Sequence, residues 1–418
     1  YWTGETDCNM SEAGNWTTNA VPINGNGFKP RFTGSRNMEI VNDLSDWSCF
    51  NLYFTSSCGP VSLSGNPLTL RPGGYGGETA AIYSASPFPV VVNLDLARNG
   101  KFGVINVGTS HVQLNGEVVC GTQAATPADQ YFVFKGSVQI GGSANAGAML
   151  FFPHQSQGST TKLTVLDGGV LTLEGGDATA AANESEQAMV NTPVWICSGG
   201  SIKVAECFNT GKCPLAMRID GTFDCAAIAQ SATDITMMGS GEVLLGGACP
   251  SPKDSNIAKR VITAGGTLTL KMAGNWETIS NENANCPQVL NVNGDVRIVS
   301  ASDWRYGHDA SIVTTTSAAD RAITIADGAK LTFAGSTQGT ATLAELIVGP
   351  GTLDFESMAS VIPGGDLASA NCWTTIADVG EIVNLPTMLE YTYRVVDGGE
   401  NGKLLQAKGK LGTIITIR

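Results

Sequence analysis

Short runs in which apolar and polar residues alternate, each broken by a glycine-centred turn, recur along most of the chain. Residues 163–173 read Leu-Thr-Val-Leu-Asp-Gly-Gly-Val-Leu-Thr-Leu, and residues 261–270 read Val-Ile-Thr-Ala-Gly-Gly-Thr-Leu-Thr-Leu. The same unit returns at 112–119, 132–140, 195–204, 217–223, 235–245, 289–298, 323–333 and 346–355. Alternation gives a strand one inward and one outward face. Asp-Gly or Asn-Gly between two such runs also announces a tight hairpin. Recurrence of the whole unit at about 20 to 34 residues points instead to one coil per repeat, each strand pairing with its equivalent one turn on. The pattern predicts an all-β fold, a right-handed parallel β-helix (β-solenoid) with capped ends. A β-sandwich or propeller is the competing architecture.

Because strands must stay in register, unequal repeat lengths mean that surplus residues leave as loops, the longest at 178–188, 251–260, 276–286 and 300–321. The turn-rich segment 1–50, with Trp2, Trp16 and Trp47, is expected to cap the open N-terminal end, and 51–380 to form the helix. Residues 381–418 read as C-terminal strands, at 391–396, 403–407 and 412–418, that cap the other end or leave an edge free.

Composition narrows the functional classes. The chain has 418 residues, 51 Gly, 15% charged and 7% aromatic residues, which suits narrow cores of stacked aliphatic side chains. A formal net charge of −13 repels phosphate backbones, so no nucleic-acid partner is expected. No basic amphipathic run and no apolar stretch of 18 or more residues occurs, so membrane insertion is not expected either. The chain begins at Tyr1 rather than Met, from which a processed, mature polypeptide is expected. Eleven Cys without a CxxC pair suggest disulfides formed in an oxidising compartment. Cys49 and Cys58, Cys207 and Cys213, and Cys249 and Cys286 each bracket a segment they could close. The odd count leaves one sulfur over, and Cys8 is the candidate for an intermolecular link.

Tyr1-Trp-Thr-Gly4, Gly14-Asn-Trp16 and Pro22, with Leu52-Tyr-Phe-Thr55 and the strand pair at 61–70, resemble the opening of proteins carrying autotransporter-associated β-strand repeats. These are secreted β-helical proteins of the pectin-lyase-like superfamily from Gram-negative and related bacteria. The resemblance covers about 70 residues, and implies a passenger-like solenoid at the cell surface. No C-terminal series of ten-residue strands with aromatic girdles is present, so a translocator barrel is not expected.

Catalytic chemistry is poorly represented. Glycoside hydrolysis needs two opposed carboxylates, yet no Asp-Asp pair, Asn-Thr-Asp or Gly-His-Gly motif occurs. Acidic clusters suited to calcium are missing, and His111, His154 and His308 are too scattered for a metal site; no metal or cofactor is expected. Gly239-Ser-Gly241 lacks the context of a nucleophile elbow, and the glycines at 73–77 make a turn rather than a phosphate cradle. The sequons at Asn15 and Asn183 are chance matches in a bacterial chain. The densest functional cluster is Asp303, Trp304, Arg305, Tyr306, His308 and Asp309. Its rings could stack on sugars and its polar groups could bond hydroxyls, or the segment could simply pack on the flank.

The leading expectation is a secreted, non-catalytic structural protein of a cell surface or filament, polymerising through its ends. A β-helical polysaccharide lyase or glycoside hydrolase, or a glycan-binding adhesin, is the alternative.

Overall fold

The computed structural model describes residues 1–25, 27–71, 80–99, 102–121, 131–146, 149–151, 162–173, 194–205, 208–209, 215–225, 228–229, 235–246, 260–274, 288–307, 322–336, 338–357, 359–364, 372–387 and 390–410. The chain divides into two compact units, 1–207 and 208–418. Both are built as a parallel β-helix, in which successive coils stack strand on equivalent strand.

In the N-terminal unit the first face stacks Glu39–Asn42, Val61–Gly65, Val90–Val92, His111–Leu114, Ser137–Ile140, Lys162–Val165 and Val194–Ile196. Parallel register aligns Ile40, Leu63, Val92, Leu114, Ile140, Val165 and Ile196 in one buried column. Val61, Val90, Val112, Val138, Leu163 and Val194 form a second column beside it. Aliphatic side chains two residues apart share a face, so strict alternation is enough to make both columns. A second face runs from Ser48–Cys49 through Leu68–Leu70 and Leu96–Asn99 to Ser201–Val204. A third, of six strands, starts at Arg31–Phe32 and Leu52–Phe54.

The C-terminal unit repeats this logic. Ile235, Ile262, Leu290, Ile323, Ile347 and Ala377 form an inner column on its first face. On its second face Val243, Leu270, Ile298, Phe333 and Phe355 do the same, the last two rings stacked 5.4 Å apart. Outward positions carry exposed ion pairs, Lys271–Glu242 at 2.6 Å and Arg297–Glu356 at 2.7 Å. Gly239 marks a corner that only glycine fits. Its φ is +134°, and a Cβ there would lie 2.2 Å from the Ile219 carbonyl oxygen of the coil below.

The pairing of the repeated units is parallel and between coils, so their Asp-Gly and Asn-Gly turns are corners of a coil rather than hairpin turns. Among the described residues, antiparallel pairing between strands enters near the C-terminus, and a single antiparallel bridge joins Trp2 to Trp16 at the other terminus. Thr374–Ile382 pairs parallel with Ile347–Phe355, then antiparallel with Lys403–Gly409, which pairs antiparallel with Tyr391–Asp397.

The Cys49–Cys58 disulfide expected from spacing is not formed: both are buried free thiols. Cys49 lies in a strand and turns inward above the core, its S–H directed at the Asn51 carbonyl 3.7 Å away. Cys58 lies in the turn after Leu52–Phe54, with its amide bonded to the Thr55 carbonyl. Each sulfur fills its own apolar site, as small buried hydrophobes do. Cys8 is a half-buried thiol. Cys207, Cys213, Cys249 and Cys286 lie outside the described residues.

Candidate functional site

The cluster singled out by sequence divides according to strand alternation. Trp304–Tyr306 is a strand, paired parallel with Ala341–Leu343, which in turn pairs with Val361–Pro363. Trp304 and Tyr306 sit two residues apart, so both rings turn inward, 2% and 1% exposed. Their column partners are Ala341 with Val361 and Leu343 with Pro363. The Trp304 indole donates to Ser300 Oγ at 2.9 Å, and burial pushes the Tyr306 phenol well above its ordinary value. Neither ring is available to stack on a ligand. Arg305 alternates outward and is half-buried, and Asp303 is exposed. His308 and Asp309 lie outside the described residues.

Asp303 opens instead onto a groove of about 470 Å³ that sequence reasoning missed. Thr340, Ser360, Gln338 and Thr387 line it with Asp303. These residues come from segments far apart in the chain, joined because the residues leading into three stacked strands lie above one another. Asp303 Oδ1 accepts the Thr340 N–H at 2.8 Å, which fixes the carboxylate against the next coil. Ser336 Oγ donates to the Ser300 carbonyl at 2.7 Å and accepts the Gln338 N–H at 3.1 Å. Gly339 lets the two turns touch, since a Cβ there would lie 2.0 Å from the Ser302 backbone. A polar residue just before each of these strands is the one signal visible in sequence, and it is shared with ordinary turns.

A second unforeseen cluster lies within the N-terminal unit. Arg98, 4% exposed, occupies an inner column with Cys49, Leu70 and Cys120. Burial draws its guanidinium below the ordinary value, while the adjoining Cys120 and Cys49 act in the opposite sense. Burial pushes the Cys120 thiol up to about 12, so it stays protonated and is a poor nucleophile at neutral pH. Among the described residues no group of three or more His, Cys, Asp or Glu could hold a metal ion, and His111 is half-buried within a strand. No helix among them is long and apolar enough to cross a membrane.

No family model, no curated protein and no solved structure matches the chain.

Proposed function

We propose that this chain is a non-catalytic structural solenoid, secreted to the surface of a Gram-negative-type bacterium, whose copies join through their ends into a layer or filament. The observation that carries the reading is the strand Tyr391–Asp397. Among the described residues it is paired on one side only, with Lys403–Gly409. Its side chains are half-buried or exposed, Val395 at 38%. An edge with unpaired backbone donors and acceptors is a template for another strand, and a second copy of the chain is the partner that gives growth. Core columns built almost wholly from aliphatic and aromatic side chains suit a load-bearing body. The resemblance of Tyr1-Trp-Thr-Gly4 and Gly14-Asn-Trp16 to secreted passenger-type β-helices supports the location. Cys8, half-buried and unbonded, is available to lock a contact between copies.

Electron microscopy of the purified protein tests this directly. Polymers are expected, and Thr392→Asp, on the exposed edge strand, is expected to leave monodisperse particles of unchanged stability. Monodisperse wild-type particles that release reducing ends from a polysaccharide would overturn the proposal in favour of an enzyme.

A further inference from the structure

The groove beside Asp303 has a lining whose chemistry is specific. Asp303 immediately precedes Trp304–Tyr306, Thr340 precedes Ala341–Leu343, and Ser360 precedes Val361–Pro363. They are therefore the same step of three successive coils, and parallel register brings their side chains into one row. Strands of one sheet lie about 4.8 Å apart, a spacing that alternate rather than adjacent hydroxyls of a pyranose ring can span. Thr387 adds a further hydroxyl, held by its N–H bond to the Ala359 carbonyl at 3.3 Å. The side chains of Gln338, Thr340, Ser360 and Thr387 make no hydrogen bond within the described protein, nor does Asp303 Oδ2. Five groups that can donate to or accept from a ligand thus converge on about 470 Å³ of open space.

Each competing class of ligand meets an obstacle. An apolar molecule would strip water from all five groups without replacing its bonds. A phosphate or uronate would face the Asp303 carboxylate, the only charged side chain among the described lining residues. A divalent cation would find that single carboxylate and otherwise neutral oxygens, short of the charge such an ion demands. A neutral molecule with several hydroxyls spaced around one ring matches the set, because each hydroxyl both donates and accepts. Its hydroxyls can donate to Asp303 Oδ2 in a charge-assisted bond and exchange bonds with Thr340, Ser360, Thr387 and Gln338.

We propose that this groove binds a neutral pyranose, free or as one unit of a polysaccharide chain, through its ring hydroxyls. Site and ligand stand independently of the polymerisation proposed above. Trp304 and Tyr306 face inward and give no stacking surface, so binding rests on hydrogen bonds alone and is expected in the millimolar range.

Saturation-transfer NMR and calorimetry on the full chain test it, using methyl hexopyranosides, a neutral hexose oligosaccharide and a uronic-acid oligosaccharide of equal length. Saturable binding of the neutral probes is expected, with the acidic probe about tenfold weaker or worse. Binding of the monoglycoside and oligosaccharide alike marks a free-sugar site; binding of the oligosaccharide alone marks a chain-borne ligand. Asp303→Asn keeps the acceptor for Thr340 but removes the charge, and is expected to weaken binding about tenfold. Thr387→Val and Ser360→Ala, which disturb no protein hydrogen bond of their side chains, are each expected to weaken it a few-fold. Asn115→Ala, in the N-terminal unit, is expected to change nothing. No saturable binding of neutral sugars, tighter binding of the acidic probe, or unchanged binding by all three groove variants at wild-type urea midpoints would overturn the proposal.

Discussion

At the start of the N-terminal unit, Trp2, Trp16, Phe28, Phe32 and Trp47 interlock, whereas the last described strands of the C-terminal unit are a reversed pair whose outer member is paired on one side only among the described residues. Trp2 is fully buried, edge-on to Trp16 at 5.3 Å, and its amide donates to the Arg31 carbonyl. Trp16 reaches Phe28 at 5.9 Å, Phe28 reaches Trp47 at 6.0 Å, and Phe32 stacks on Phe54 of the next coil at 4.9 Å. Asn15 pins the loop beneath, accepting the Thr6 and Asp7 amides and donating to Asp7 and Asn9. In the C-terminal unit the described closing strands are held mainly by backbone pairing. Lys403–Gly409 covers Thr374–Ile382 by backbone pairing, with Leu405 and Ala407 buried. Tyr393 anchors the outer strand through its hydroxyl, which donates to the Val361 carbonyl. The N-terminal unit is closed by side-chain area, while the last described strands of the C-terminal unit are joined by backbone hydrogen bonds that, among the described residues, stop at Tyr391–Asp397. The first kind of closure excludes further strands, while the second invites them.

The comparison can be broken most forcefully at Trp2. Trp2→Ala removes a fully buried indole and is expected to cost about 3–5 kcal/mol. Hydrogen exchange should then accelerate first in Arg31–Phe32 and Leu52–Phe54. Unchanged exchange there would mean that the aromatic cluster is not what closes this end.

Alkali offers the next largest effect, again in the N-terminal unit. Burial pushes the Cys58 and Cys120 thiols from 9.0 up to about 12. Folding thus favours the protonated thiol, so this stabilisation is complete below pH 9.0 and is lost as pH climbs towards about 12. The urea midpoint should fall as pH rises from 9.0 towards about 12. Cys58→Ala and Cys120→Ala should each flatten that fall, whatever they do to the midpoint at neutral pH. An equally steep fall in both variants would remove the thiols from the account.

Smaller effects belong to the C-terminal end. Tyr393→Phe deletes one hydrogen bond and should cost about 1 kcal/mol, with faster proteolysis of the reversed strands as the readout. Arg394 lies 4.2 Å above the Trp373 ring and bonds Gln406, on an exposed face. Arg394→Ala should shift the denaturation midpoint by less than about 1 kcal/mol. A larger loss would show that the edge strand depends on its outer face and is not a passive surface.

The regular part of the molecule was legible because it is local. Alternation at 163–173 or 323–333 fixes which side chains face in, and the glycine-centred turns between the runs fall at the corners of coils. The hairpin reading of the same dipeptides failed because turn chemistry alone does not say whether a strand pairs with its neighbour or with its counterpart one coil away. The same alternation, applied to Asp303-Trp-Arg-Tyr306, would have turned both rings inward. Counting functional groups there obscured the period.

What the sequence determined by itself was the repeating strand and corner, hence the all-β solenoid, since these follow from the residues of one coil. What only the tertiary structure decided was everything set by stacking between coils. Parallel register put Arg98 in an inner column with Cys49 and Cys120, kept Cys49 apart from Cys58, and aligned Asp303, Thr340 and Ser360 along one groove. Loops of unequal length separate these residues in the chain, so their meeting depends on strand pairing between coils and leaves no fixed spacing to read.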